Sequence, residues 1–150
     1  MFDAFGLEVL SEAECYRLLG GASVGRIVFT EQALPAIQPV SYGMCGRSLV
    51  MRTSVGSKLA AATRNAVVAF EVDQFDHDHL RAGWSVVAVG HATEVTDPAE
   101  LTLAKAMDLR PWALEMSEHY IRIAIELISG RRVQIDTATA AVANREHSLD

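Results

Sequence analysis

This sequence is short of cysteine, of positive charge and of long apolar runs, and each shortage removes a class of protein. Only Cys15 and Cys45 occur in 150 residues, without a C-x-x-C pair or zinc-like ligand spacing. A disulfide-stapled secreted scaffold and a zinc module are therefore excluded. The two thiols are either free or joined in one bridge, and a reducing cytoplasm, the expected location, favours free thiols. Lys and Arg number 13 against 19 Asp and Glu, a formal net charge of −6. Neither nucleic acid nor an anionic membrane is the expected partner, and any anion site must be a local basic patch. The apolar runs fall short of a membrane span. The opening MFDAFGLEVLSEAE has no basic segment followed by an apolar one, so no secretory signal is visible. What is present is ordinary for a globular protein: 50% hydrophobic and 21% charged residues. That fits a single domain over 1–150, with a core over about 10–136 and a loose tail from 137.

Local patterns divide the chain into short strands and fewer helices. Residues 1–10 have no clear period and read as an arm. Ser11 and Glu14 form a capping box for a helix that runs to about Leu19 and stops at Gly20-Gly21. Val24 to Thr30 reads as a strand, followed by a turn at Glu31-Gln32-Ala33 and a second strand from Leu34 to Tyr42. Pro35 and Pro39 disfavour a central, fully paired position, so this strand is expected at an edge, or bulged near Pro39. Further strands are expected at Leu49 to Thr53, Ala66 to Val72 and Gly83 to Thr96, the last broken or bent at Gly90, with a helix from Ser57 to about Arg64. Asp97, Pro98 and Glu100 make a second capping box. Tyr120 to Leu127 suits strand or helix by periodicity, and its isoleucines favour strand; Ser129-Gly130-Arg131 reads as a turn into a last strand, Arg132 to Asp136. Hairpin-length breaks between most strands point to a mainly β (α+β) fold, a six- to seven-stranded antiparallel barrel with short peripheral helices, and not to a βαβ sheet.

The stretch SLVMRTSVGSKLAAATRN, residues 48–65, carries the sharpest chemical signal. A strand delivers Arg52 and Thr53 to a glycine-containing turn, after which Ser57 and Lys58 open a helix. Cations placed against the positive end of a helix are locally unfavourable, and a bound anion removes the conflict. Backbone N–H groups, two hydroxyls and two cations suit one phosphate, although a capped surface helix would show the same residues. The order Gly56-Ser57-Lys58 is wrong for a nucleotide triphosphatase loop, and Met51 stands where that motif needs its first glycine. Gly21-Ala22-Ser23-Val24-Gly25 matches the G-x-S-x-G hydrolase elbow, but here a helix enters and a strand leaves, so Ser23 reads as part of a helix-ending turn. Asp76-His77-Asp78-His79 offers adjacent metal ligands that cannot close a shell alone and reads as a solvated loop; no metal is expected. Trp84 and Ser85 could flank a ligand, or Trp84 could close a barrel end. No acid/base dyad or nucleophile constellation stands out, no catalytic side chain is assigned, and any reaction would be carried by a cofactor.

Four blocks in this order, LSEAECYRLLGGASVGRIVF, LPAIQPVSYG, LVMRTSVGSKLAAATRNAVVAFEVD and GWSVVAVGHATEVTD, resemble the pyridoxamine 5′-phosphate oxidase-like flavoproteins, the FMN-binding split barrels. The resemblance covers about residues 10 to 135. It implies a split β-barrel, a homodimer with flavin sites at the interface, and an FMN phosphate held by Arg52, Thr53, Ser57 and Lys58. It further implies that Gln38, Pro39, Val40 and Ser41 run beside the isoalloxazine ring, with Trp84 and Ser85 approaching from the long strand. The implied activity is an oxidoreductase that passes hydride or electrons through flavin N5 to a small molecule. Some relatives of similar length use a deazaflavin coenzyme, and a third reading is a flavin or phosphorylated-ligand carrier that catalyses nothing. The substrate-holding C-terminal Arg and His region of true pyridoxamine phosphate oxidases is only weakly echoed by Arg145 and His147, so the family name does not give the substrate.

Overall fold

A computed structural model of the chain describes residues 1–53, 59–60, 63–76, 82–109 and 119–134. In chain order the elements are β1 (Glu8–Val9), α1 (Glu12–Gly20), β2 (Val24–Glu31), β3 (Leu34–Cys45), β4 (Ser48–Thr53), β5 (Val67–Phe75), β6 (Ala82–Glu94), α2 (Pro98–Ala106) and β7 (His119–Gln134). All strand pairings are antiparallel, in the order β1-β7-β4-β3-β2-β5-β6. A further pairing of β6 with β7 closes the last six of these strands into a ring. Alternation of apolar and polar residues sets which face looks inward. Ile27 and Phe29, Val40 and Tyr42, Leu49 and Met51, and Phe70 and Val72 are buried inside the ring with Ala88 and Ile123.

The N-cap half of each expected capping box forms, while the Glu14 and Glu100 side chains bond arginines. Ser11 accepts from the Glu14 N–H and Asp97 from the Glu100 N–H, with Pro98 in the first turn of α2. α1 stands at one end of the ring: Leu19 enters the main core, while Cys15 and Leu18 pack with Leu10 and Val86. Both cysteines are free, Cys15 buried and Cys45 exposed, and burial raises the Cys15 thiol above its ordinary range.

The two prolines of β3 sit where they cost least. The Tyr42 N–H bonds to the Ser23 carbonyl, so along this ladder Pro35, Pro39 and Ser41 hold the alternate positions whose nitrogens face away from β2. Residues Leu34–Ser41 pair with β2, and the ladder to β4 begins at Tyr42. Among the described residues, this part of β3 is therefore an open edge, as its prolines suggested, and the ring is split there.

Two readings change, and a third is borne out in sharper form. Residues 1–10 are more than an arm, because Glu8 and Val9 pair with Arg132 and Arg131 and Phe2 bridges to Glu8. Ser129-Gly130-Arg131 is not a turn: β7 continues as one strand of 16 residues, paired with β6 through this point. Gly130 is there for packing, since a Cβ would lie 2.8 Å from Cys15 Sγ and 3.0 Å from Leu10. The bend near Gly90 is a bulge between Val89 and Gly90, where the register against β7 shifts. The helix expected from Ser57 lies mostly outside the described residues; Leu59 and Ala60 are helical, and Leu59 reaches the core.

Candidate functional site

β4 ends with Arg52 and Thr53 turned to opposite faces, as strand alternation requires. Thr53 is buried on the inner side, opposite His119, whose Nδ1 is 3.1 Å from Glu94 Oε1. Arg52 is half-buried on the outer side and donates from Nη1 to the Leu109 carbonyl at 3.3 Å. Ser57 and Lys58, the other half of the expected phosphate set, lie outside the described residues, as do His77, His79, Arg145 and His147.

Leu109 connects Arg52 to β3. A depression on the outer surface is lined by Ser23, Ser41, Tyr42, Met107, Asp108 and Leu109. Its far wall is the segment just after α2, which reaches β3 because Gly43 has no side chain: a Cβ there would sit 2.8 Å from Met107 Sδ. Arg122 Nη1 bonds Glu100 Oε1 at 2.6 Å and ties α2 to β7. The wall is thus fixed by a helix cap, an ion pair and a glycine contact. Tyr42, at the floor, donates its hydroxyl to the Leu19 carbonyl, and burial pushes its pKa up to about 12. Ser23 joins the depression as part of the turn after α1, with a helix entering and a strand leaving, so the hydrolase elbow is not formed.

Of the other expected ring contacts, Pro39 is exposed on the outer face with Ser41, whereas Val40 is buried in the core and Gln38 shares its inward parity. Ser85 is also on the outer face, opposite Asp73 of β5 and Arg131 of β7. Trp84 turns inward and packs against both the main core and the α1 cluster, with its edge on a second depression formed by Gln74, Phe75, Asp76, Ala82 and Gly83. Within one chain, Ser41 therefore lines one depression, Arg52 is tied to its wall through the Leu109 carbonyl, and Trp84 stands at another.

The outer face also holds a charged cluster that the sequence reading passed over. Arg26 of β2 lies opposite Pro39 on one side and Glu71 on the other. Its Nη1 is 3.4 Å from Glu71 Oε2 and 3.3 Å from Asp73 Oδ2. Burial, together with the neighbouring Asp73 carboxylate, raises the Glu71 pKa to about 7, against the opposing pull of Arg26. Alternation with buried Phe70 and Val72 places both acids on this face, but nothing local in the sequence shows that they meet Arg26.

A ring of six antiparallel strands, opened along Leu34–Ser41 of β3 and stoppered by a short helix, is the architecture of a split β-barrel. The chain belongs to the pyridoxamine 5′-phosphate oxidase family, whose profile matches residues 11–132. An uncharacterised protein of Mycobacterium tuberculosis is 37% identical over 135 residues, 87% of this chain and 88% of that one. Among solved structures, a FAD-binding protein from Mycobacterium smegmatis is 35% identical with a TM-score of 0.73, the match covering 85% of this chain and 98% of that one. A FAD-binding protein from Mesorhizobium loti is 26% identical with a TM-score of 0.70 over 85% of this chain and 99% of that one. No described helix is long and apolar enough to cross a membrane.

Proposed function

We propose that this protein is a flavin-binding oxidoreductase that works as a homodimer. The observation that carries the reading is an outer depression lined by the Ser41 edge of β3 and by Leu109, whose carbonyl Arg52 bonds, in a chain whose relatives include two FAD-binding proteins. Arg52, with Thr53, Ser57 and Lys58 around the adjoining turn, would hold the flavin phosphate. The open edge of β3 supplies what a flat ring needs. Prolines remove two of its outward N–H groups, and Ser41 retains one that faces away from β2. A backbone donor on a rigid strand stabilises negative charge on a reduced ring. The flavin supplies hydride or electron transfer at N5, so no side chain has to act as nucleophile.

Among the described residues of a single chain, one wall of such a site is not supplied. Pro39 and Ser41 face outward on β3, Ser85 stands on the outer face of β6, and Trp84 is turned inward with its edge at a second depression. A second copy would cover the depression and bring its own long strand to the ring, which is how residues distant within one chain could share a cofactor. The relatives favour FAD; FMN carries the same ring and first phosphate and would use the same Arg52 contact.

Purification from a flavin-replete host tests the reading. A yellow protein that releases FAD or FMN, identified by mass, supports it; a colourless protein that binds a deazaflavin and neither flavin overturns the cofactor. Arg52→Ala should weaken flavin binding by about ten- to a hundredfold, the effect of one charge-assisted contact of roughly 1.5 to 3 kcal/mol. Unchanged titration would mean that the phosphate lies elsewhere.

A further inference from the structure

The outer face of β3, β2, β5 and β6 combines exposed aliphatic side chains with a charge imbalance. Val24, Ile37, Val67 and Val87 stand on it in the open, and Leu127 of β7 continues the row opposite Val89. Apolar side chains gathered on one face in this way suit a protein contact. In its midst Glu71 and Asp73 share a single guanidinium nitrogen, and their side chains are only 25% and 32% exposed. With both carboxylates ionised the cluster carries one net negative charge per chain. With one proton held between them it is neutral. Covering an uncompensated charge with apolar surface is costly, and covering the neutral cluster is not.

We propose that this cluster is a proton-linked latch: a second copy of the chain docks on this face, favoured while the Glu71–Asp73 pair holds a proton and opposed once both ionise. The proposal rests on the dimeric reading above. The occupant is a second copy because Pro39 and Ser41, for which the described residues of one chain supply no second wall, lie on the same face, on the strand next to Arg26 and two strands from Glu71 and Asp73. A two-fold arrangement would also set two ionised clusters into one interface, in a chain whose formal net charge is already −6. Docking withdraws more water from Glu71, whose pKa already stands at about 7, and so raises it further; assembly takes up solvent protons and weakens as pH rises through that region.

The groups facing Glu71 are few. Arg26 comes from β2 and Asp73 from β5 itself, while β6 presents Ser85 and Val87, and β3 presents Pro39 beyond Arg26. Arg131, opposite Ser85, is engaged with Asp3 at 3.1 Å. Among the described residues, a further ionisable pair on this side is His91 with Glu126, at 2.5 Å and farther along β6.

Sedimentation across about pH 6 to 8.5 reads the dimer dissociation constant, with flavin content followed by absorbance in the same samples. One proton per copy predicts that the constant rises by at least about tenfold across this range, with a limiting slope of about a hundredfold per pH unit. Glu71→Gln and Asp73→Asn each leave a neutral cluster, so both variants should stay dimeric with little pH dependence. His91→Asn should keep the wild-type slope. A wild-type constant that is flat in pH overturns the latch while leaving a flavin dimer intact, and so do Gln and Asn variants that follow the wild-type curve. A protein that is monomeric at every pH overturns the latch together with the dimer, whether or not it holds flavin.

Discussion

Gly90→Ala is the substitution for which the barrel makes its strongest demand. Gly90 lies at the bulge of β6, and a Cβ built there would be 1.9 Å from the Ala124 carbonyl oxygen and 2.8 Å from its carbon. Restoring ordinary contact needs a separation of at least about 1 Å between the strands. The obstacle is backbone, so no rotamer change relieves it. β7 cannot yield easily either, because Ala124 is paired with Ser48 of β4 as well as His91 of β6. Stretching ladder bonds from about 2.9 Å to about 4 Å removes roughly two of them, at about 1 kcal/mol each, and overpacking adds on the order of 1 to 2 kcal/mol. The total, about 3 to 4 kcal/mol, corresponds in a domain of this size to a Tm lower by on the order of 10 °C. Thermal melts followed by far-ultraviolet circular dichroism measure it. Gly46→Ala is the matched control: its φ is +59° but no atom lies within 4 Å of its Cβ, so only a left-handed backbone penalty of about 1 kcal/mol applies. If Gly90→Ala melts within a degree or two of the wild type, or no lower than Gly46→Ala, the steric account of the bulge is wrong.

Other perturbations reach the ends of the barrel and the site. Tyr42→Phe keeps the edge-to-face contact with Phe70 but leaves the Leu19 carbonyl without its hydroxyl donor, and chemical denaturation should show a loss of about 1 to 3 kcal/mol. The phenol itself should resist ionisation until about pH 12 in an ultraviolet titration. Glu14 bonds Arg17 and, at 2.6 Å, Arg132, and these contacts hold its pKa at about 2, below the ordinary 4.5. A depressed carboxylate stabilises the fold above its unfolded pKa and loses that contribution as pH falls toward the folded one. The wild-type Tm should therefore decline between about pH 4.5 and pH 2, and Glu14→Gln should show a shallower decline; parallel curves would remove Glu14 from the acid response.

What was legible in the sequence was mostly local. Ser11 with Glu14, and Asp97 with Glu100, are complete signals within four residues, and both cap the helices they announce. Pro35 and Pro39 marked β3 as an edge because a missing N–H is tolerated only where no strand needs it. Gly130 misled, since a Ser-Gly-Arg turn signal is outweighed when β6 pairs along the whole length and α1 requires a residue without a side chain. The cluster of Arg26 with Glu71 and Asp73 was out of reach for a different reason. Its partners are 45 and 47 residues apart, and alternation gives the face of each side chain but not its neighbour across a ladder. The contact of Arg52 with Leu109 spans 57 residues and was hidden likewise. The phosphate turn was read from residues that include Ser57 and Lys58, and for those two the sequence remains the whole argument.

Identifying the cofactor on the purified protein tests the central claim most directly. Visible absorbance, followed by mass spectrometry of the released small molecule, should show FAD or FMN, and titration into Arg52→Ala should require about ten- to a hundredfold more flavin than the wild type. Protein that carries no flavin and takes up none when either is added would contradict the account.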